Sequence, residues 1–135
     1  MPRIGEWIQG RAAGNAALIA LIANRIYPIV MPQAAQQATP FPASVCWSTT
    51  VEPVDQAKQE AGQLSTYIVE FRIYAVSYTA LDDIDDALRT LYDYQEGTTG
   101  GVTVNGAQYL GGQDGLVETT EILMRTARYR FRTRR

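Results

Sequence analysis

The chain has 135 residues, 46% of them hydrophobic and 19% charged, which suits one self-sufficient globular domain and lies well away from the composition of a disordered segment. Histidine is absent and cysteine occurs once, which excludes an intramolecular disulfide, every histidine-containing catalytic triad and the histidine-bearing zinc patterns. The net charge of −2 conceals an asymmetry: residues 1–124 carry −8 and the last eleven carry +6, so the basic end is expected to meet something acidic, whether nucleic acid, a neighbouring copy or its own body.

A weak helical segment over Ile4–Arg11 opens the chain. Asn15 then stands as N-cap before "AALIALIA" (Ala16–Ala23), a short buried helix stopped by Pro28. That apolar run is far short of the roughly 20 residues of a membrane span, and no basic leader precedes it, so neither a transmembrane segment nor secretion by signal peptide is expected. Residues Met31–Pro42 hold three prolines and no helical period and read as a loop. A strand follows over Ala43–Val51, with Ala43, Val45, Trp47 and Thr49 on one face and Cys46 as a small buried hydrophobe, in keeping with a reducing compartment.

Alternation is cleanest from Ser65 to Ser77, where Tyr67, Val69, Phe71, Ile73 and Ala75 share a face opposite Thr66, Glu70 and Arg72. A helix is expected over Ala80–Gln95, capped by Thr79 with Asp82 in the capping-box position, burying Leu81, Ile84, Leu88 and Leu91 and halted by Gly97. In "VTVNGAQY" the Asn105-Gly106 pair marks a hairpin over Val102–Tyr109, because a type I′ turn needs two positive φ angles. The last strand spans about Val117–Arg132. The fold class is therefore α+β: an antiparallel or mixed sheet of about four strands with helices packed on it, a long C-terminal strand and a small β-hairpin, in one domain over residues 1–135.

Written with period two, the last strand puts Leu123, Ala127, Tyr129 and Phe131 on one face and Thr126, Arg128, Arg130 and Arg132 on the other. The thirteen residues from Thr120 to Arg132 would span about 43 Å as an unbroken strand, against a domain about 37 Å across. The segment over residues 120–135 is thus expected either to bend at a bulge or to project. Three readings of its cationic face stand side by side: a solvated outer face, a subunit contact and a nucleic-acid surface. Aromatics opposite the arginines are badly placed to stack on bases.

Other clusters point away from catalysis. Asp82, Asp83, Asp85 and Asp86 occupy the first turns of a helix, where the dipole favours negative charge, and Asp85 can pair with Arg89. "GGVTVNG" and "GGQDG" lack the lysine and following helix of a phosphate loop. No activated nucleophile is visible, and no catalytic residue, metal ligand or cofactor site is expected.

Three segments in order carry a resemblance: "NAALIALIANRIYPIVMPQAAQQATPFPASVCW" (Asn15–Trp47), "VEFRIYAVSYTALDDIDDALRTL", and the terminal "RTARYRFRTR". They resemble the tail-completion family of long-tailed bacteriophages, related in fold to tail terminators, over about residues 15–132. The glycine-broken "GRAAGN" and the glutamine-rich loop depart from the family pattern. Within the motif, Arg25, Ile26, Tyr27 and Pro28 read as structural, with Pro28 ending the helix and Arg25 in its last turn. The resemblance implies a virion tail subunit, assembled in the host cytoplasm and placed near the head-tail junction. It would form a ring, commonly of six copies, that caps the completed tail tube and supports head-tail joining. The partners implied are further copies of the chain, the tail tube protein, a head-tail connector protein and genome DNA in transit, with no membrane. Arg125, Arg128, Arg130 and Arg132, together with Asp82, Asp83, Asp85 and Asp86, are the candidate interface or lumen residues. A head-tail connector component and a nucleic-acid-binding module are the alternatives.

Overall fold

The computed structural model describes residues 4–30, 42–51, 64–116 and 122–134. Its elements are α1 (Ile4–Ala13), α2 (Ala16–Ile22), β1 (Ile26–Pro28), β2 (Ser44–Val51), β3 (Leu64–Ala75), α3 (Tyr78–Tyr92), β4 (Gly97–Thr99), β5 (Val102–Leu116) and β6 (Leu123–Arg134). The α+β class holds, but the sheet has six strands rather than about four, in the order β1-β2-β3-β6-β5-β4. β1 runs parallel to β2 and the other pairs are antiparallel.

One face of the sheet carries the helices. Tyr67, Val69, Phe71, Ile73 and Ala75 of β3 are all buried, as their alternation predicts, and they share that face with Ala127, Tyr129 and Phe131 of β6. α3 lays Leu81, Ile84, Leu88 and Leu91 over them. The centre is aromatic: Phe71 stacks on Tyr92 at 5.1 Å, Tyr129 meets Phe71 edge-on at 5.5 Å, and Trp7 of α1 meets Phe131 at 5.4 Å. The Tyr92 hydroxyl, whose ionisation burial suppresses, donates to the Ile8 carbonyl at 2.7 Å and ties α3 to α1. α1 comes close to β2 because Gly5 has no side chain; a Cβ there would lie 2.7 Å from the Trp47 ring.

Several local expectations give way to tertiary context. Asn15 caps α2 as predicted, accepting from the Leu18 amide at 2.8 Å. α3 is capped by Ser77 rather than Thr79: the Ser77 hydroxyl accepts from the Ala80 amide at 3.1 Å, and the helix starts two residues earlier, at Tyr78, shortly after β3 ends at Ala75. Pro28 does not end a helix. α2 stops at Ile22, and Ile26-Tyr27-Pro28 form β1 beside Val45-Cys46-Trp47. Arg25 then lies beyond the helix, its Nε donating to the Ala43 carbonyl at 2.8 Å.

The hairpin is also displaced. The turn joining β4 to β5 is Gly100-Gly101, with φ of 61° and 76°, while Asn105 sits in a bulge where the pairing jumps from Val104↔Thr133 to Gly106↔Arg132. The bulge has a packing reason: it shifts the phase of β5 so that Val102, Val104 and Ala107 are all buried on the helix face. β6 neither bulges against β3 nor stands alone. It pairs residue for residue with β3 from Leu123↔Ala75 to Arg134↔Leu64 and has β5 on its other side. The register irregularities lie between β5 and β6, so the length expected to bend or project is held in mid-sheet. The predicted loop over residues 31–42 and residues 117–121 of the predicted last strand lie almost wholly outside the described residues.

Candidate subunit-contact surfaces

The eight interface candidates separate into three places. Arg125 lies on the helix face of β6, in line with Ala127 and Tyr129, and is 9% exposed. Its Nη1 donates to Asp82 at 2.8 Å and lies 3.5 Å from Asp85, and its Nε donates to Asp114 of β5 at 2.6 Å. Tyr78, next to the α3 cap, donates its hydroxyl to Asp114 at 2.9 Å and places its ring 5.1 Å from the guanidinium. Asp114 reaches Arg125 through a second β5 irregularity, between Tyr109 and Gly111, which shifts the strand's phase by one residue and sets Asp114 opposite Arg125.

The electrostatics follow from that geometry. Hydrogen bonds from Arg125 and Tyr78 hold the Asp114 carboxyl below the ordinary range. Burial pushes Asp85 up, and the nearby Arg125 charge only partly opposes it. The bond to Asp114 raises the Tyr78 hydroxyl, and the same carboxylate chiefly holds Arg125 charged. Asp85 faces Arg125 rather than Arg89, which lies 4.2 Å over the Tyr109 ring. The cluster fastens α3, β5 and β6 together, and Arg125 thus leaves the set of residues available to another subunit.

Arg128, Arg130 and Arg132 point to the opposite face, away from the three described helices. Across the register they stand beside Glu70, Ile68 and Thr66 of β3, and Arg72 of β3 shares the same face. Arg128 and Arg132 are exposed, whereas Arg130 and Arg72 are half-buried, with Arg72 donating to the Ile29 carbonyl. Glu70 is the one acid opposite them among the described strand positions of β3 and β6 on this face. Asp83 and Asp86 are exposed and line a groove between α2 and α3 of about 380 Å³ together with Ala17, Leu21 and Ala87.

The motif residues Arg25, Ile26, Tyr27 and Pro28 build β1 and its joint to β2, and Gln9 donates to the Ile26 carbonyl at 3.2 Å. Among the described residues no group of three or more cysteines or carboxylates could hold a metal ion, and no helix is long and apolar enough to cross a membrane. Sequence reasoning missed Asp114 and Tyr78 because a bulge and a long-range contact place them. Arg72 was legible as the polar face of β3, but its neighbours were not.

No known protein family and no curated protein matches the sequence. Among solved structures, a chain described as "Virion of native gene transfer agent (GTA) particle" aligns with a TM-score of 0.72 at 15% identity, covering 99% of this chain and 96% of that one. A second solved chain aligns at a TM-score of 0.45 and 12% identity, too distant to enter the argument. The first likeness runs from end to end, and what the two chains share is their fold.

Proposed function

We propose that this chain is a structural protein of a phage or phage-like virion that acts by assembly and without catalysis. In the finer form of this reading, copies close into a ring, commonly six, that caps the tail tube near the head-tail junction. The ring would contact the tail tube protein and a connector protein and let the genome pass. The observation that carries the reading is the end-to-end fold correspondence with a chain of a gene transfer agent virion. The order of tail-completion-like segments in the sequence and the separation of charge between the two faces of the sheet support it.

The test is negative-stain imaging of the purified protein, alone and added to tail tubes. Closed assemblies with rotational symmetry are expected in at least one of the two. Copies on the tail unrelated by rotation, or an absence of assembly in both, would sink the ring.

A further inference from the structure

We propose that the exposed arginines of β6, Arg128 and Arg132, dock into the α2–α3 groove of a second copy of this chain, and that this contact repeats head to tail around the ring. The proposal rests on the ring reading above and names the surfaces that make it.

The two surfaces lie on opposite sides of the molecule. Arg128 and Arg132 stand exposed on the face of β6 turned away from the described helices. The groove belongs to the helix layer on the other side, with exposed Asp83 and Asp86 at its rim. Among the described residues these charges are not brought together: the ion pairs made with α3 run from Arg125 to Asp82 and Asp85. A surface of one sign on one side and its complement on the other cannot pair isologously without setting like charges together. It pairs heterologously, and a heterologous contact whose rotation closes makes a ring.

The groove also suits an arginine beyond its charge. Its apolar lining residues Ala17, Leu21 and Ala87 can cover the aliphatic stem, while Asp83 and Asp86, three residues apart on α3, offer carboxylates to the guanidinium. Asn15 and Thr90 add polar groups at the same rim. Nucleic acid fits the arginine face less well. Tyr129 and Phe131, the aromatics interleaved with these arginines, are buried in the core and cannot stack on bases, and Glu70 stands directly across from Arg128.

The test uses two paired variants of the full chain, Asp83→Arg with Asp86→Arg, and Arg128→Glu with Arg132→Glu. Each pair alone should keep the wild-type circular dichroism and raise the concentration needed for assembly about a hundredfold or more, since like charges then face one another. Mixed in equal amounts, the two should assemble together, because each remaining or reversed surface of one meets its complement on the other in a ring of even copy number. Should the glutamates disturb β6, Arg128→Gln with Arg132→Gln carries the same test, with weakened assembly as its expected result. Wild-type assembly by either reversed pair, or failure of the mixture, overturns the docking surfaces while leaving the ring itself standing. Absence of any closed assembly by the wild type overturns both. Tight, salt-sensitive binding to a DNA duplex that Arg128→Glu with Arg132→Glu abolishes while rings still form would assign the face to nucleic acid instead.

Discussion

Arg125 and Arg128 stand three residues apart on one strand, yet the alternation of β6 sends them to opposite sides of the sheet. Arg125 enters the helix layer, where it is 9% exposed and meets Asp82, Asp85 and Asp114. Arg128 stays exposed beside half-buried Glu70 on the face turned away from the described helices. Residue type and sequence neighbourhood are nearly the same for both. What separates their roles is the parity of their position and the neighbour that a β5 irregularity delivers to one of them. The inward arginine is spent on the fold, and the outward ones are left for a partner.

If that division is right, the helix-covered face should dominate stability. Phe71→Ala removes a fully buried ring that stacks on Tyr92 and meets Tyr129 edge-on. Equilibrium denaturation should show a loss of about 3–5 kcal/mol, the range for emptying an aromatic core position. A loss below about 1 kcal/mol would mean that the helices do not seal this face, and the contrast between the two sides would collapse.

The Arg125 cluster should come next. Arg125→Met strips the cation from Asp85, which is only 8% exposed, while Asp82 and Asp114 can turn to water. Breaking a fully buried ion pair costs about 3–5 kcal/mol, and two partners with side chains 51% and 43% exposed reduce this to about 1–3 kcal/mol. Adding Asp85→Leu to the same chain should recover part of the loss, because the stranded carboxylate is then gone. A double variant no more stable than Arg125→Met would show that Asp85 was not the group left exposed to the penalty.

The contrast between the faces was only half visible in the sequence. Period-two alternation located the core face of β3 and the arginine parity of β6, and helical spacing located the buried side of α3, because each is a repeated local signal that burial enforces. Single-residue features fared worse. Thr79 and Ser77 are both chemically competent caps, and the end of β3 chooses between them. Gly100-Gly101 and Asn105-Gly106 can both turn, and burial of Val104 together with Ala107 makes the second a bulge. Arg125 was grouped with its neighbours because nothing local announces Asp114, which reaches it only through a second shift of register. Of the eight candidate contact residues, the acidic and basic members were therefore legible as types, whereas the partition between internal fastening and outward surface depended on pairing.

The smallest effect is the most specific to the inward cluster, because Asp85 and Asp114 pull stability in opposite directions as pH falls. Asp114 has a folded pKa below its ordinary value, so its contribution is complete above that value and is lost as pH drops through the folded one. Asp85 has a folded pKa raised above the ordinary 3.8 by burial, so the folded chain takes up this proton first, and stability gained there grows as pH falls from the folded pKa to 3.8. Asp85→Asn removes the second component alone and keeps a polar group of the same shape beside Arg125, which retains Asp82 and Asp114. At pH 7 the variant should lie within about 1 kcal/mol of wild type, because the charge it gives up was costly to bury. Between pH 7 and about 4, the wild type should gain on the variant, as its own Asp85 becomes neutral and escapes that cost. Urea titrations of both proteins at the two pH values measure the difference directly. A variant that loses more than about 2 kcal/mol at pH 7 and recovers relative to wild type in acid would reverse the sign. Asp85 would then be a carboxylate that Arg125 holds ionised, and the inward cluster would be as strongly charged as the outward face.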